Sequence, residues 1–135
     1  MSFTRITIIR TETTDYNNLN DQLKWFGASL GLFNLRDKDG SCFRIFIVLL
    51  KDLKSLNKGL SSDEIAAKTL LSRGTVVHHL NKLMDSGFVV SVDNRYFLKA
   101  NSMEELVDDV EKNILKSLKS LREVGKDLDK NLGLK

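Results

Sequence analysis

Proline is absent from the 135 residues and cysteine occurs once. Without proline no prolyl isomerisation slows folding, and helices have to be ended by caps and by glycine. A single cysteine, Cys42, excludes a disulfide framework and any multi-cysteine metal site. Long apolar runs are missing too. The longest, Ile45 to Leu50, is far too short to span a bilayer, so no membrane partner is expected. The first ten residues, MSFTRITIIR, lack a secretory apolar region followed by a small-residue cleavage site, and the expected location is the cytoplasm. No glycine-rich phosphate loop, no paired catalytic carboxylates in a glycine-framed context and no Ser/His or Cys/His constellation is visible. The expectation is therefore no enzyme, no metal and no cofactor.

The apolar fraction of 41% is ordinary for a folded domain and sufficient for a core without staples. The net charge of +3 is small, and its placement says more than its total. Residues 1–40 carry five basic and five acidic side chains, residues 41–100 nine and five, and residues 101–135 seven and eight. The positive surplus sits in the middle of the chain, an arrangement that permits nucleic-acid binding without requiring it.

The β-branched density from Phe3 to Ile9 predicts a short strand or extended arm. Asn17 and Asn18 offer caps for a helix over 18–31, with Leu19, Leu23, Phe26 and Leu30 as its stripe and Gly31 as its stop. Residues 36–40 read as an exposed turn. Ser41 is placed to cap a second helix, about 42–57, whose apolar residues on most faces put it at the centre of the domain. Ser61 and Glu64 have capping-box spacing, and a short helix with Ile65 and Ala66 turned inward follows. Leu71-Ser72 breaks the pattern and Ser72 caps a helix over 72–86, with Val76, Leu80 and Leu83 inward and Gly87 as its end. Two short helices across a tight turn make a helix-turn-helix. Residues 88–92 and 95–99 read as strands around Asp93-Asn94, residues that tolerate positive φ in a two-residue hairpin. A last amphipathic helix covers 101–132. The predicted fold is mainly α with a small β-hairpin wing: a winged helix-turn-helix over 41–100, flanked by an arm and helix over 1–40 and a terminal helix over 101–135.

The run LSRGTVVHHLNKLMDSGFV, Leu71 to Val89, resembles the recognition helix of ArsR/MarR-type winged-helix transcriptional regulators. The matching parts are Ser72 as polar cap, Thr75-Val76, the pair Val77-His78, His79-Leu80, Leu83 and Gly87-Phe88-Val89. Upstream, Asp63-Glu64-Ile65-Ala66 is similar to the supporting helix, and the close likeness covers about residues 60–99. The resemblance implies a dimeric regulator that reads double-stranded DNA, with a small-molecule effector open. Two features depart from it. Leu70 stands where the family's turn carries Gly or Asn, and a left-handed leucine costs about 1 kcal/mol or more. The expectation is a remodelled turn with Leu70 packed inward beside Leu71. Metal-sensing members of the family use paired cysteines or His/Asp clusters, which this chain does not have.

The exposed face of helix 72–86 supplies the candidate DNA contacts. Arg73 is assigned to phosphate or a guanine edge, Thr75 and His78 to backbone or bases, and Lys82 to phosphate, with Ser72, Val77 and Asn81 beside them. The same face also reads as an ordinary solvated one. His79 borders the core as a structural histidine, and Cys42 reads as a small buried hydrophobe. Arg95, next to the hairpin turn, is either a minor-groove or phosphate contact or a plain solvent-exposed turn residue. Leu106, Val110, Ile114, Leu118 and Leu121 form a stripe longer than one winged unit can cover. Together with Leu19, Leu23 and Phe26 they are the expected homodimer interface. The alternative is a winged helix that docks a protein within a transcription or repair assembly, which requires exposed apolar side chains on the recognition face.

Overall fold

The structure is a computed structural model that describes residues 18–33 and 40–134. The expected arm over 3–9 and most of the turn over 36–40 lie outside the described residues. Five helices and one hairpin follow in order: α1 (Leu19–Ser29), α2 (Ser41–Lys54), α3 (Ser62–Thr69), α4 (Arg73–Asp85), β1 (Val89–Val92), β2 (Arg95–Leu98) and α5 (Met103–Leu132). The chain divides into two compact units between Asn101 and Ser102. In the first unit α2, α3, α4 and the hairpin form a winged helix-turn-helix, as the sequence pattern predicts.

Helix α2 is its centre and packs against α3, α4 and β2. Ile45, Phe46 and Leu49 of α2 are buried, as are Ile65 of α3, Val76, Leu80 and Leu83 of α4, Val89 of β1 and Leu98 of β2. Ala66, expected to face inward, is only half-buried; Thr69, one turn beyond Ile65, is buried in its place. Its hydroxyl donates to the Ile65 carbonyl at 2.7 Å, which satisfies the one polar group that this position brings inside. Ser41 does not cap α2 as expected. Gly40 occupies the cap position at φ 61°, and Ser41 becomes the first helical residue, buried at the start of α2.

Helix α1 begins on Asn18, whose side chain accepts from the Asp21 N–H. Its predicted stripe is not the packed face: Leu19 is exposed and Leu23, Phe26 and Leu30 are half-buried. Gly27, Ala28, Leu32 and Phe33 are buried instead. The Phe33 ring lies so close to Gly27 that an added Cβ would stand 2.2 Å from it, and Phe33 meets Phe43 and Phe46 of α2 at ring-centroid distances of 5.3 and 6.1 Å. A bulky ring seated on a glycine overrides the leucine periodicity as the way this helix docks.

The hairpin pairs Val89 with Leu98 and Val92 with Arg95. Asp93 and Asn94 take φ of 51° and 62°, and two consecutive positive values make a primed turn whose twist suits paired strands. Leu60 adds a one-residue third strand. It exchanges N–H···O bonds of 3.2 and 2.8 Å with Tyr96, tying the entry of α3 to the wing. Gly59 precedes it at φ 80°, with the Phe97 ring 2.4 Å from where a Cβ would be. Both the conformation and the close approach require glycine there.

The second unit is α5, 30 residues long, capped by Ser102 and closed by Gly133 at φ 70°. Leu106 and Val110 are buried within the single chain, whereas Leu115, Leu118, Leu121, Val124, Leu128 and Leu132 are exposed. Among the described residues no helix is long and apolar enough to cross a membrane.

Candidate nucleic-acid interface

The turn between α3 and α4 sets the direction of the recognition helix. Leu70 has φ 59° and ψ 29°, a left-handed residue, and is 88% exposed. The expected remodelled turn with an inward Leu70 is therefore wrong. The turn keeps the positive-φ shape that glycine would favour, and the leucine points to solvent. Buried Ile65, Thr69 and Val76 fix the chain on either side, so reversing direction at residue 70 takes precedence over its local cost. Arg44 of α2 donates from its guanidinium to the Thr69 carbonyl. That carbonyl is one of those a helix leaves unsatisfied at its C-terminal end.

Ser72 caps α4. Its Oγ accepts from the Thr75 N–H at 3.2 Å and donates to Thr75 Oγ1 at 2.9 Å. Both hydroxyls thus serve the helix start. At the other end, the Phe88 N–H donates to the Leu83 carbonyl and the Gly87 N–H to the Met84 carbonyl, with Gly87 at φ 81°. This Schellman pair stops the helix and turns the chain into the wing.

With Val76, Leu80 and Leu83 buried, α4 presents Arg73, Gly74, His78, Asn81 and Lys82 as exposed residues, while Thr75 and Val77 are half-buried at its flanks. A Cβ at Gly74 would meet nothing within 4 Å. Glycine at this position answers no packing need of the chain itself. The imidazoles of His78 and His79 stand edge to face, 5.4 Å apart. Asp85 is exposed at the end of α4.

Two arginines were singled out in the sequence, and both lie beside carboxylates at the start of α3. Arg73 Nε is 3.5 Å from Asp63 Oδ1, with both side chains largely exposed. Arg95 Nη1 donates to the Gly59 carbonyl at 2.8 Å and lies 3.5 Å from Glu64 Oε1. Arg95 is exposed and is held against the loop that precedes α3. Glu64 also completes the capping box, its Oε1 accepting from the Ser61 N–H and its own N–H donating to Ser61 Oγ. Sequence reasoning identified the cap and missed both ion pairs. Asp63 is ten positions before Arg73 and Glu64 thirty-one before Arg95, separations that carry no periodic signal. Arg44 was missed for the same reason. Among the described residues no group of three or more His, Cys, Asp or Glu is placed to hold a metal ion.

A helix-turn-helix whose second helix shows a polar, partly basic face, followed by a two-stranded wing, defines the class: a winged helix-turn-helix protein. Residues 50–130 match the family model described as a helix-turn-helix domain. The match runs from late α2 through most of α5, more than half of the chain, and the chain belongs to this family. No curated protein and no solved structure matches it. Membership of a helix-turn-helix family points to DNA as the partner.

Proposed function

We propose that the protein is a sequence-specific transcriptional regulator of the ArsR/MarR type, a homodimer that inserts α4 into the major groove of double-stranded DNA. The hairpin would then lie on the flanking backbone or minor groove. The observation that carries this reading is the outward face of α4. Arg73, His78, Asn81 and Lys82 are exposed there, next to a Gly74 with open space above it. Arginine, lysine and asparagine are the side chains that read base edges and phosphates, and a glycine lets another backbone approach a helix closely. The likeness of Leu71–Val89 to the recognition segment of those regulators supports the same reading.

Homodimerisation is supported by the second half of α5. Ile114, Leu118, Leu121, Gly125, Leu128 and Leu132 are separated by alternating four- and three-residue steps, the spacing of a two-helix seam. Four of these, all leucines, are exposed in the single chain. A two-fold pairing would set two α4 helices about one turn of DNA apart, so the preferred site is a near-palindrome.

The test is a salt-titrated binding measurement on mixed genomic duplex fragments, with the retained sequences read out. Arg73→Ala is expected to weaken the retained sequences by about 1–3 kcal/mol if Arg73 reads a base edge. If it meets phosphate alone, all sequences weaken together and the salt slope shrinks by about one. A parent protein that retains no duplex at low salt would end the DNA-binding reading.

A second reading, protein docking, is favoured by one observation: Leu70 is 88% exposed at the turn and Val92 is 55% exposed on the wing. Capture of a protein partner that resists high salt and is lost in Leu70→Asp, with no DNA retained, would support it.

A further inference from the structure

Each of the two arginines singled out for DNA is matched with its own carboxylate from one turn of α3. Asp63 faces the Arg73 Nε at 3.5 Å and Glu64 faces the Arg95 Nη1 at 3.5 Å. We propose that Asp63 and Glu64 are specificity-determining residues, which lower the affinity of the winged domain for generic duplex while Asp63 aims Arg73 for base reading. This rests on the DNA-binding reading above.

The geometry distinguishes the two pairs. The contact given for the Asp63–Arg73 pair is to Nε, a donor that the end-on guanidinium fork does not need when it binds a guanine edge in bidentate fashion through its two Nη groups. A side chain steered this way loses less freedom when it reads a base. A phosphate that approaches the same guanidinium meets a carboxylate as well as a cation, and its net attraction falls. Arg95 is engaged twice, by Glu64 and by the loop before α3. That arginine already donates to the Gly59 carbonyl, so its charge is partly compensated and its donors are partly used. Generic binding depends on phosphate neutralisation and counterion release, whereas base reading depends on aimed donors. Carboxylates in these positions weaken the first and keep the second.

Structural roles are separable by the choice of substituent. Asp63→Asn keeps the shape of an exposed side chain that caps nothing, and Glu64→Gln keeps the capping box, which accepts Gln in place of Glu. Both changes remove a negative charge from the first turn of α3, where it favours the helix dipole. Stability is therefore expected to fall slightly while DNA affinity rises. A residue with a merely structural role would lower both.

The experiment measures binding of the full chain to a mixed-sequence duplex across a salt series, with a thermal melt of each variant. Asp63→Asn should bind about three- to fivefold more tightly at low salt, the range of an exposed ion pair, with a steeper salt slope and a melting temperature equal to or below that of the parent. Asp63→Asn with Glu64→Gln should bind about tenfold more tightly. In an Arg73→Gln background the gain from Asp63→Asn should shrink towards one, because the carboxylate then has no arginine to oppose. An equal gain in both backgrounds would overturn the coupling to Arg73 and leave only a distant charge effect. Unchanged affinity in Asp63→Asn and in the double variant, with the parent binding duplex normally, would overturn the inference alone. Failure of the parent to bind any duplex would remove the DNA-binding reading and this inference with it.

Discussion

Leu70, at φ 59° and 88% exposed, both forgoes burial and suffers the crowding of Cβ in a left-handed conformation. That conformation costs a non-glycine residue about 1–2 kcal/mol, partly offset because glycine would lose more freedom on folding. Leu70→Gly removes no buried contact, so the change is expected to stabilise by about 1 kcal/mol, a rise of about 4 °C in a thermal melt. A fall in Tm would mean that the side chain packs. Arg44 is a different case, because its donor meets the Thr69 carbonyl at the same turn. Arg44→Met keeps most of the alkyl stem and loses the charged donor, so it should cost about 1.5–3 kcal/mol. Urea unfolding is the measurement: a lower midpoint at unchanged slope is expected. An unchanged midpoint would show that the turn stands without Arg44.

At the scale of elements, end signals carry most of the organisation. Ser61 with Glu64, Ser72 and Gly87 each sit where a cap is required and each performs that role. These signals were legible because a cap joins residues three or four apart, so its partners lie in one short stretch of chain. Helix α5 has one weak point, Gly125, where an added Cβ would meet nothing within 4 Å. Glycine in a helix interior costs up to about 1 kcal/mol relative to alanine. Gly125→Ala should therefore raise helicity in circular dichroism and stabilise α5 by up to about that amount. A loss of helix would mean that the proposed two-helix seam packs too closely on Gly125 to admit a Cβ. Helix α1 was harder to read, since its leucine stripe follows the helical period and yet Gly27, Ala28, Leu32 and Phe33 form the buried side. What decides there is the fit of one phenylalanine ring onto a glycine.

For the molecule as a whole, the apolar face of α5 governs assembly. Leu118, Leu121, Val124, Leu128 and Leu132 stay exposed in one chain, and apolar surface contributes about 25 cal/mol per Å² when it is buried. The proposed dimer predicts a mass above 15.3 kDa by light scattering at micromolar concentration, approaching twice that value as concentration rises. Leu118→Asp with Leu121→Asp should return the monomer mass with the helix-turn-helix still folded, and should lose most affinity for a palindromic site. A double variant that remains dimeric would move the interface off α5.

The winged helix-turn-helix was legible in the sequence because its elements are announced locally: a capping box, a polar cap at Ser72, glycine stops, and an Asp93-Asn94 turn between alternating strands. The apolar period also named Val76, Leu80 and Leu83 as the inward face of α4, and they are buried; the outward face follows from the same arithmetic. What remained hidden depends on partners far apart in the chain. Arg44 reaches Thr69 across 25 positions, and Arg95 reaches Gly59 across 36. Leu60 pairs with Tyr96 in the wing. No local propensity encodes such pairs, because they form only after α2, α3 and the hairpin have packed. Leu70 marks the boundary between the two. Its type argued against positive φ, yet the buried residues flanking the turn set the path of the chain, and that global constraint outweighs a local cost of about 1–2 kcal/mol.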